Sequence, residues 1–224
     1  MQNVSVIVTA GGIGKRMGSE VPKQFLTINS QPILYYTLLF FHQQKEVTQL
    51  ILTLPEEWQS YWKSECKKFP IQIPHQIVNG GLERFHSIKN ALDVCIEPIV
   101  AIHDGVRPLV SEKTWENCIE AIKMNSAVVP VTQLKESIRH LNENGSKSVN
   151  REKYRNVQTP QLFELNQLKA AYQRPFSTSF TDDASVIEQF GVPIYLVDGN
   201  DENIKITTPM DLQIAALFMQ KKEK

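Results

Sequence analysis

The chain alternates between short apolar runs and longer stretches whose apolar residues recur at helical spacing. Residues 4–8 are mostly β-branched and predict a buried strand. Further apolar runs predict strands at residues 50–54, 77–78, 99–102, 127–131 and 194–197. Helical patterns predict helices at residues 31–44, 56–69, up to about 92, 111–124 and from 209 onward. This alternation is typical of an α/β fold with a mainly parallel sheet.

Local signals refine several of these elements. Pro32 suits the first turn of a helix, where its missing N–H is not needed. Thr181 is predicted to cap a helix whose first turn contains Asp182 and Asp183, because the helix dipole favours acids there. Thr208 is predicted to cap the last helix, which begins at Pro209.

The pattern changes after residue 131. Residues 136–140 alternate, and Asn144-Gly145 is a strong signal for a β-hairpin turn. An isolated hairpin is marginally stable, so this one needs a surface on which to pack. The length of 224 residues predicts one domain, residues 1–224, in which residues 134–156 form an insertion.

Composition limits the classes of function. The 24 basic and 24 acidic residues cancel, which argues against a nucleic-acid binder that relies on global charge, although a local anion pocket stays possible. Cys66, Cys95 and Cys118 are widely spaced without a C-x-x-C motif and predict reduced thiols. The sequence has no signal-peptide pattern and no apolar run near the ~20 residues of a membrane span, so we expect a soluble cytoplasmic protein.

A glycine-rich turn follows the first strand. Gly11, Gly12 and Gly14 let the backbone approach a ligand, and their successive N–H groups predict an anion-binding concavity. Arg16 and Lys23 follow, which suits a nucleotide triphosphate, although a plain strand-to-helix turn explains the glycines equally well. The Rossmann fingerprint fails at Met17, and no Gly-Lys-Ser/Thr of a P-loop occurs.

Two later segments predict polar groups at the same edge of the sheet. Gly80 and Gly81 precede a helix that contains Arg84 and Ser87, so this turn is predicted to read a base edge; a simple turn is the alternative. Asp104 and Arg107 follow a strand end, where open α/β sheets bind ligands. Asp104 is expected to orient a hydroxyl or lie near a metal ion, and Arg107 to contact a phosphate, unless the two form a structural pair. Lys205 stands between apolar residues and points toward a polar site or toward solvent.

These segments carry a resemblance to a known family. Ala10-Gly11-Gly12-x-Gly14-x-Arg16-Met17-Gly18 with Pro22-Lys23-Gln24-Phe25 resembles the nucleotide-binding loop of sugar-phosphate nucleotidyltransferases. It looks most like the 2-C-methyl-D-erythritol 4-phosphate cytidylyltransferases of the non-mevalonate isoprenoid pathway. Gly-Gly-x-x-Arg-x-x-Ser, His-Asp-x-x-Arg-Pro and Asn-Ile-Lys-Ile-Thr-Thr-Pro match family segments in the same order, so the resemblance spans residues 9–211.

The resemblance implies a fold, a reaction and a set of residues. The fold is a three-layer α/β/α Rossmann-like nucleotidyltransferase with a protruding β-hairpin arm that makes a homodimer. The reaction joins CTP to 2-C-methyl-D-erythritol 4-phosphate with Mg²⁺ and releases pyrophosphate. The implied catalytic residues are Arg16, Lys23, Arg151 and Lys205. The implied CTP-binding residues are Ala10, Gly11, Gly12, Gly14, Arg16, Lys23, Gly80, Gly81, Arg84, Ser87 and Asp104. The implied polyol-phosphate residues are Asp104, Arg107, Ser137, Arg151, Thr159, Thr181 and Lys205.

Three alternatives stay open at this point. A cytidylyltransferase for another polyol phosphate, such as ribitol 5-phosphate, would share these motifs. A nicotinamide-dependent oxidoreductase is disfavoured because its fingerprint fails and because Pro55 closes the second strand. A non-catalytic nucleotide-binding module is disfavoured by Arg16 and Lys23. We expect no partner nucleic acid and no membrane.

Overall fold

The computed structural model describes residues 2–12 and 21–222, and its description of side chains ends at residue 220. Gly14 and Arg16, two residues of the predicted phosphate-binding turn, lie outside the described residues. The strands are β1 Val4–Thr9, β2 Thr27–Ile28, β3 Gln31–Pro32, β4 Val47–Leu54, β5 Gln76–Asn79, β6 Ile99–Asp104, β7 Ala127–Gln133, β8 Arg139–Asn142, β9 Gly145–Ser148, β10 Arg155–Val157, β11 Gln161–Glu164 and β12 Tyr195–Asp198. The α-helices are α1 Ile33–His42, α2 Glu56–Cys66, α3 Arg84–Leu92, α4 Glu112–Ile122, α5 Leu165–Ala171, α6 Asp183–Glu188 and α7 Pro209–Lys222.

The central sheet is mainly parallel, as predicted. Its strands lie in the order β5-β4-β1-β6-β11-β7-β12, and the short strand β10 pairs with β7 beside β11. Neighbours among β5, β4, β1 and β6 are parallel, and so are β7 and β12. Strand β11 runs antiparallel between β6 and β7, an arrangement that the sequence pattern did not reveal.

Side chains that alternate along the strands divide the core into two faces. Val4, Val6 and Val8 pack with residues of α1, α2 and α4, whereas Ile7 packs with residues of α3, α5 and α6. The sheet is therefore covered by helices on both sides, which confirms the predicted three-layer α/β/α fold. The parallel strands read as nearly continuous apolar runs because both of their faces are buried.

Two predicted helix starts are wrong by one residue. Pro32 is the N-cap of α1 and does not lie in its first turn. Helix α6 is capped by Asp182 and not by Thr181: the Asp182 carboxylate accepts the Ser185 N–H at 2.9 Å, and the Ser185 hydroxyl accepts the Asp182 N–H at 3.2 Å. This reciprocal capping box satisfies both backbone donors, which a single bond from Thr181 would not do.

The predicted hairpin is present. Strands β8 and β9 form a separate two-stranded sheet whose turn pairs Asn142 with Gly145, and all eight strand residues are exposed. Gly145 adopts a φ of 127°, which L side chains rarely tolerate. The ribbon therefore has no core of its own within the described chain.

Helix α7 anchors the segment that contains Lys205. Ala215 and Met219 of α7 pack with Ile28, Val106 and Ile206 in a third apolar cluster. The Ile206 N–H donates to the Val106 carbonyl at 3.0 Å, which fixes residue 205 beside the end of β6. The predicted cap is confirmed, since the Thr208 hydroxyl accepts the Asp211 N–H at 3.3 Å.

Cys66, Cys95 and Cys118 are all unpaired, and the last two are buried. Across residues 2–12 and 21–222, no helix combines the length and the apolar character that crossing a bilayer requires.

Candidate active site

A cavity of about 280 Å³ opens at the carboxyl ends of β1 and β6, where open α/β sheets bind ligands. Three separate segments form its walls: the first glycine turn, the second glycine turn with the start of α3, and the end of β6 with Lys205. The predicted residues that line it are Ala10, Gly11, Gly12, Lys23, Gly81, Arg84, Ser87, Asp104 and Lys205.

The first wall joins the glycine turn to the segment that carries Lys23. The Gln24 side chain donates to the Ala10 carbonyl at 2.6 Å, so the 3₁₀ turn Lys23–Phe25 is tied to the end of β1. A Cβ at Gly12 would stand 3.6 Å from the Lys23 Cε, an ordinary contact. Packing within the protein therefore leaves room for a side chain at position 12. The Gly12 backbone lines the cavity, where the absence of a Cβ lets a ligand approach it closely.

The second wall is tightly constrained by Gly81. A Cβ at this position would lie 2.4 Å from the His86 Cβ and 3.0 Å from the His86 carbonyl carbon, so only glycine fits. The Gly81 N–H donates to the Ser87 hydroxyl at 2.9 Å, and the Gly80 N–H donates to the Leu54 carbonyl at 3.0 Å. The N–H groups of Gly80 and Gly81 are therefore both bonded within the protein. Leu82 lies at the mouth of the cavity with 96% of its surface exposed.

Charged groups converge on Asp104. The Lys205 Nζ lies 3.0 Å from its carboxylate, the Arg107 Nε 3.3 Å and the Arg84 Nε 3.6 Å. Burial alone would raise the pKa of Asp104, but attraction to Arg84, Lys205 and Arg107 outweighs it and holds the pKa well below its ordinary value. The carboxylate therefore stays ionised and organises three cations around the cavity.

Asp183 is a residue of the site region that the sequence reasoning misjudged. It lies in the first turn of α6, but it is fully buried and forms a bidentate ion pair with Arg84, at 2.8 and 2.6 Å. Its role is therefore not explained by the helix dipole alone. The available signal was the doubled acid Asp182-Asp183, because one acid is enough to cap a helix and the second is left for a cation.

A buried network lies beneath Asp104. The Asp104 N–H donates to the Thr159 hydroxyl at 3.1 Å, and that hydroxyl donates to the His103 Nδ1 at 3.1 Å. The His103 Nε2 donates to the Arg107 carbonyl at 2.9 Å. Burial lowers the pKa of His103 to about 4, so the ring is neutral at pH 7 and supports the strand end through these two bonds. Arg107 also donates to the Asn203 carbonyl at 2.7 Å.

Six of the described predicted residues do not line this cavity: Gly80, Arg107, Ser137, Arg151, Thr159 and Thr181. Arg151 donates to the Lys135 carbonyl and lines a separate cleft beside β7, together with Arg155 and Asp201. Ser137 is exposed in the hairpin segment. Thr181 lines a small aromatic recess behind Arg84. Thr159 is buried under the floor, where its hydroxyl supports Asp104.

The surroundings of Asp104 do not fit a resident Mg²⁺. Its carboxylate already has three cationic neighbours, and a metal ion would be repelled by all of them. Among the described residues, no group of three or more His, Cys, Asp or Glu side chains is arranged to hold a metal. The Asp104 carboxylate therefore acts as a partner of these cations and not as a metal ligand.

Comparison with known proteins gives one consistent family. The family model for 2-C-methyl-D-erythritol 4-phosphate cytidylyltransferase matches residues 4–221. Proteins of that name from Bacteroides fragilis and Bacteroides thetaiotaomicron are 49% and 47% identical to this chain over 216 residues, which cover 96% of the chain and 99% of each relative.

Solved structures agree with this assignment. The 4-diphosphocytidyl-2C-methyl-D-erythritol synthase from Anaerococcus prevotii has a TM-score of 0.84 at 28% identity, covering 98% of this chain and 96% of that one. The 2-C-methyl-D-erythritol 4-phosphate cytidylyltransferase from Francisella tularensis has a TM-score of 0.79 at 31% identity, covering 96% and 99%.

Proposed function

The chain belongs to the 2-C-methyl-D-erythritol 4-phosphate cytidylyltransferase family, and from that premise we propose how its residues carry out the reaction. The enzyme joins CTP to 2-C-methyl-D-erythritol 4-phosphate, giving 4-diphosphocytidyl-2-C-methyl-D-erythritol and pyrophosphate. The observation that carries the residue assignment is the convergence of both glycine turns, Lys23 and the Asp104 cation cluster on one cavity.

The physical problem is repulsion between the two substrates. A phosphomonoester is mostly dianionic at pH 7, since its second pKa is ~6. It must attack the α-phosphorus of a triphosphate, and two unit charges 4 Å apart repel by ~4 kcal/mol at an effective dielectric of ~20. Several fixed cations are therefore needed at the reacting phosphorus.

The glycine turns and Lys23 would bind CTP. The main chain of Ala10, Gly11 and Gly12 would cradle the phosphates, and Lys23 would offset charge on the α-phosphoryl oxygens and the leaving pyrophosphate. Gly14 and Arg16 keep their predicted roles beside them, although they lie outside the described residues. The wall formed by Gly80, Gly81, Arg84 and Ser87 would receive the cytosine.

The Asp104 cluster would bind the polyol phosphate. Asp104 would accept substrate hydroxyls, and Lys205 would hold the incoming phosphate in line with the leaving group. Arg107 and Thr159 would act mainly through Asp104, because both already bond to that residue. Thr181 would approach from the recess behind Arg84. No general base is required, since the attacking phosphate is already ionised at pH 7.

The hairpin segment would complete the site of a second subunit. Arg151 and Ser137 lie outside their own chain's cavity, and the exposed β8–β9 ribbon within residues 134–156 needs a surface on which to pack. A homodimer in which this arm reaches the partner satisfies both observations. We propose that Mg²⁺ enters with the CTP phosphates, and that the enzyme works in the cytoplasm, where CTP is available and its three thiols stay reduced.

Pyrophosphate release tests this function. Each nucleoside triphosphate should be paired with 2-C-methyl-D-erythritol 4-phosphate and with ribitol 5-phosphate in the presence of Mg²⁺. Release only with CTP and methylerythritol phosphate is the expected result. Faster turnover with ribitol 5-phosphate would reassign the substrate, and nucleotide binding without any release would indicate a non-catalytic module.

Lys23→Ala tests the first wall. Loss of one preorganised charge at the reacting phosphorus should lower kcat by about 10²–10³, by analogy with oxyanion-hole donors. Lys63→Ala is the matched control, because Lys63 is exposed on α2 and does not line the cavity. A Lys23→Ala enzyme with near-normal kcat would contradict the assignment.

A further inference from the structure

One guanidinium lies between two carboxylates at the cavity wall. Arg84 makes two short bonds to Asp183, at 2.8 and 2.6 Å, and a longer ionic contact of 3.6 Å to Asp104. Its side chain is 31% exposed and lines the cavity, whereas Asp183 is fully buried behind it. Asp183 therefore holds the Arg84 guanidinium from the interior of the protein, while the exposed part of the side chain faces the cavity.

Asp183 is itself fixed by a buried aromatic anchor. The Tyr172 hydroxyl donates to Asp183 Oδ1 at 2.6 Å, and the Tyr172 ring stacks on Phe85 with centroids 4.6 Å apart. Phe85 directly follows Arg84 at the start of α3. Burial and the nearby Asp183 raise the pKa of Tyr172, so its hydroxyl remains a donor at neutral pH. The position of the carboxylate is thus set by the core and not by the ligand.

The two carboxylates compete for Arg84. A planar guanidinium pairs with a carboxylate through two parallel bonds, which a lysine ammonium cannot do. Without Asp183, the nearest carboxylate to Arg84 would be Asp104, and a bidentate Arg84–Asp104 pair would displace Lys205 from its 3.0 Å contact. Lys205 is the residue assigned above to the incoming phosphate.

We propose that Asp183 is a positioning residue for the reaction: it holds Arg84 on the nucleotide wall and thereby leaves Asp104 to Lys205. This inference rests on the proposed roles of Arg84, Asp104 and Lys205. Asp183 does not touch either substrate. It acts on CTP through the position of Arg84, and on methylerythritol phosphate by keeping Arg84 away from Asp104.

The test uses the separate KM values of the two substrates. Asp183→Asn keeps the shape of the side chain but releases Arg84, so the KM values for CTP and for methylerythritol phosphate should each rise about tenfold, within the range of coupling between contacting residues. In the Arg84→Met/Asp183→Asn double variant, Asp104 is again free for Lys205. The KM for methylerythritol phosphate should therefore return to within about threefold of wild type, while the KM for CTP stays high.

If Asp183 had a purely structural role, its loss would lower the melting temperature and leave both KM values unchanged. Ile187→Val, a buried change on the same helix, serves as the control: its melting temperature should fall while both KM values stay at the wild-type level. Tyr172→Phe keeps the ring stack and removes only the bond to Asp183, so it should shift both KM values in the direction of Asp183→Asn. Tyr172→Phe therefore tests the proposal by itself if the Asp183→Asn protein folds poorly.

Four outcomes are decisive. Selective recovery of the KM for methylerythritol phosphate in the double variant supports the proposal. Normal KM values in Asp183→Asn and Tyr172→Phe, or equal defects in both substrates without recovery, overturn it. Wild-type kinetics in Arg84→Met would instead contradict the proposed role of Arg84 itself, which distinguishes the failure of that assignment from the failure of this one.

Discussion

At the scale of single residues, Asp104 is the carboxylate that three cations, Arg84, Arg107 and Lys205, share. Asp104 was expected at the cavity because it follows an apolar run, and it lies there. Its contacts with Lys205 and Arg84 come from segments far apart in the chain, and no local pattern encodes such pairing. Asp183 was misjudged for the same reason, since its neighbours in sequence offer a sufficient but incomplete explanation.

His103 predicts a pH dependence of stability. Its pKa is lowered by burial from 6.5 to about 4, so between these pH values the unfolded chain binds a proton that the folded chain rejects. The free energy of unfolding should therefore fall as the pH drops from 6.5 toward 4, by up to about 3 kcal/mol.

Urea unfolding at pH 7 and pH 5 measures this slope. His103→Gln should reduce the difference between the two pH values, although it also lowers stability at both because the bonds to Thr159 and Arg107 are weakened. His42→Gln, at the exposed end of α1, should leave the slope unchanged. An undiminished slope in His103→Gln would assign the pH dependence to other groups.

At the scale of elements, the strand cores were predicted correctly, and β1, β4, β6 and β7 each extend beyond the prediction at one end only. Apolar runs identify the residues that both helical layers bury, but the length of a strand is set by its partners. Strand β6 extends to Asp104 because that residue pairs with Thr9 of β1, and β4 begins at Val47 because it pairs with Val4. The start of α6 was predicted one residue too early, because its cap depends on the reciprocal bonds between Asp182 and Ser185.

Gly81→Ala tests the rigidity of the second glycine turn. The new Cβ would overlap the His86 Cβ and backbone, so the turn must move relative to α3. A displacement of about 1 Å at a binding wall costs up to about 10²-fold in rate, so kcat/KM for CTP should fall strongly.

The control for this change is another glycine. Gly191 has a φ of 95° and open space around its position, so Gly191→Ala should lower stability through backbone strain without altering kcat/KM. Equal kinetic effects of the two substitutions would mean that the turn at Gly81 has no special part in nucleotide binding.

At the scale of the whole molecule, the layer order followed from the pattern, but the sheet order did not. The insertion of β11 between β6 and β7 brings Thr159 under Asp104, and this placement depends on long-range pairing that periodicity cannot report. The exposed hairpin was predicted from its turn residues, and its proposed partner is a second copy of the chain.

Mixed dimers test that partnership. If each site combines Lys205 of one subunit with Arg151 of the other, an Arg151→Ala chain and a Lys205→Ala chain are each inactive alone. Reassociation of equal amounts should restore about one quarter of wild-type activity, because half of the dimers are mixed and each has one intact site. The control is the Arg151→Ala protein alone, dissociated and reassociated in the same way, which should stay inactive. If the mixture of the two variants were equally inactive, Arg151 and Lys205 would belong to a site within one chain.

The pair formed by Arg84 and Asp183 has a consequence for biosynthesis, because 99 positions separate the two residues. At ~5–20 residues per second, a nascent chain exposes Arg84 for on the order of ten seconds before its buried counter-ion is translated. Both glycine turns and Asp104 have been synthesised by then. Asp183, which pairs with Arg84, and Lys205, which pairs with Asp104, have not. Competence for CTP is thus among the last properties that the emerging polypeptide acquires, and chains that stop before α6 are released without it.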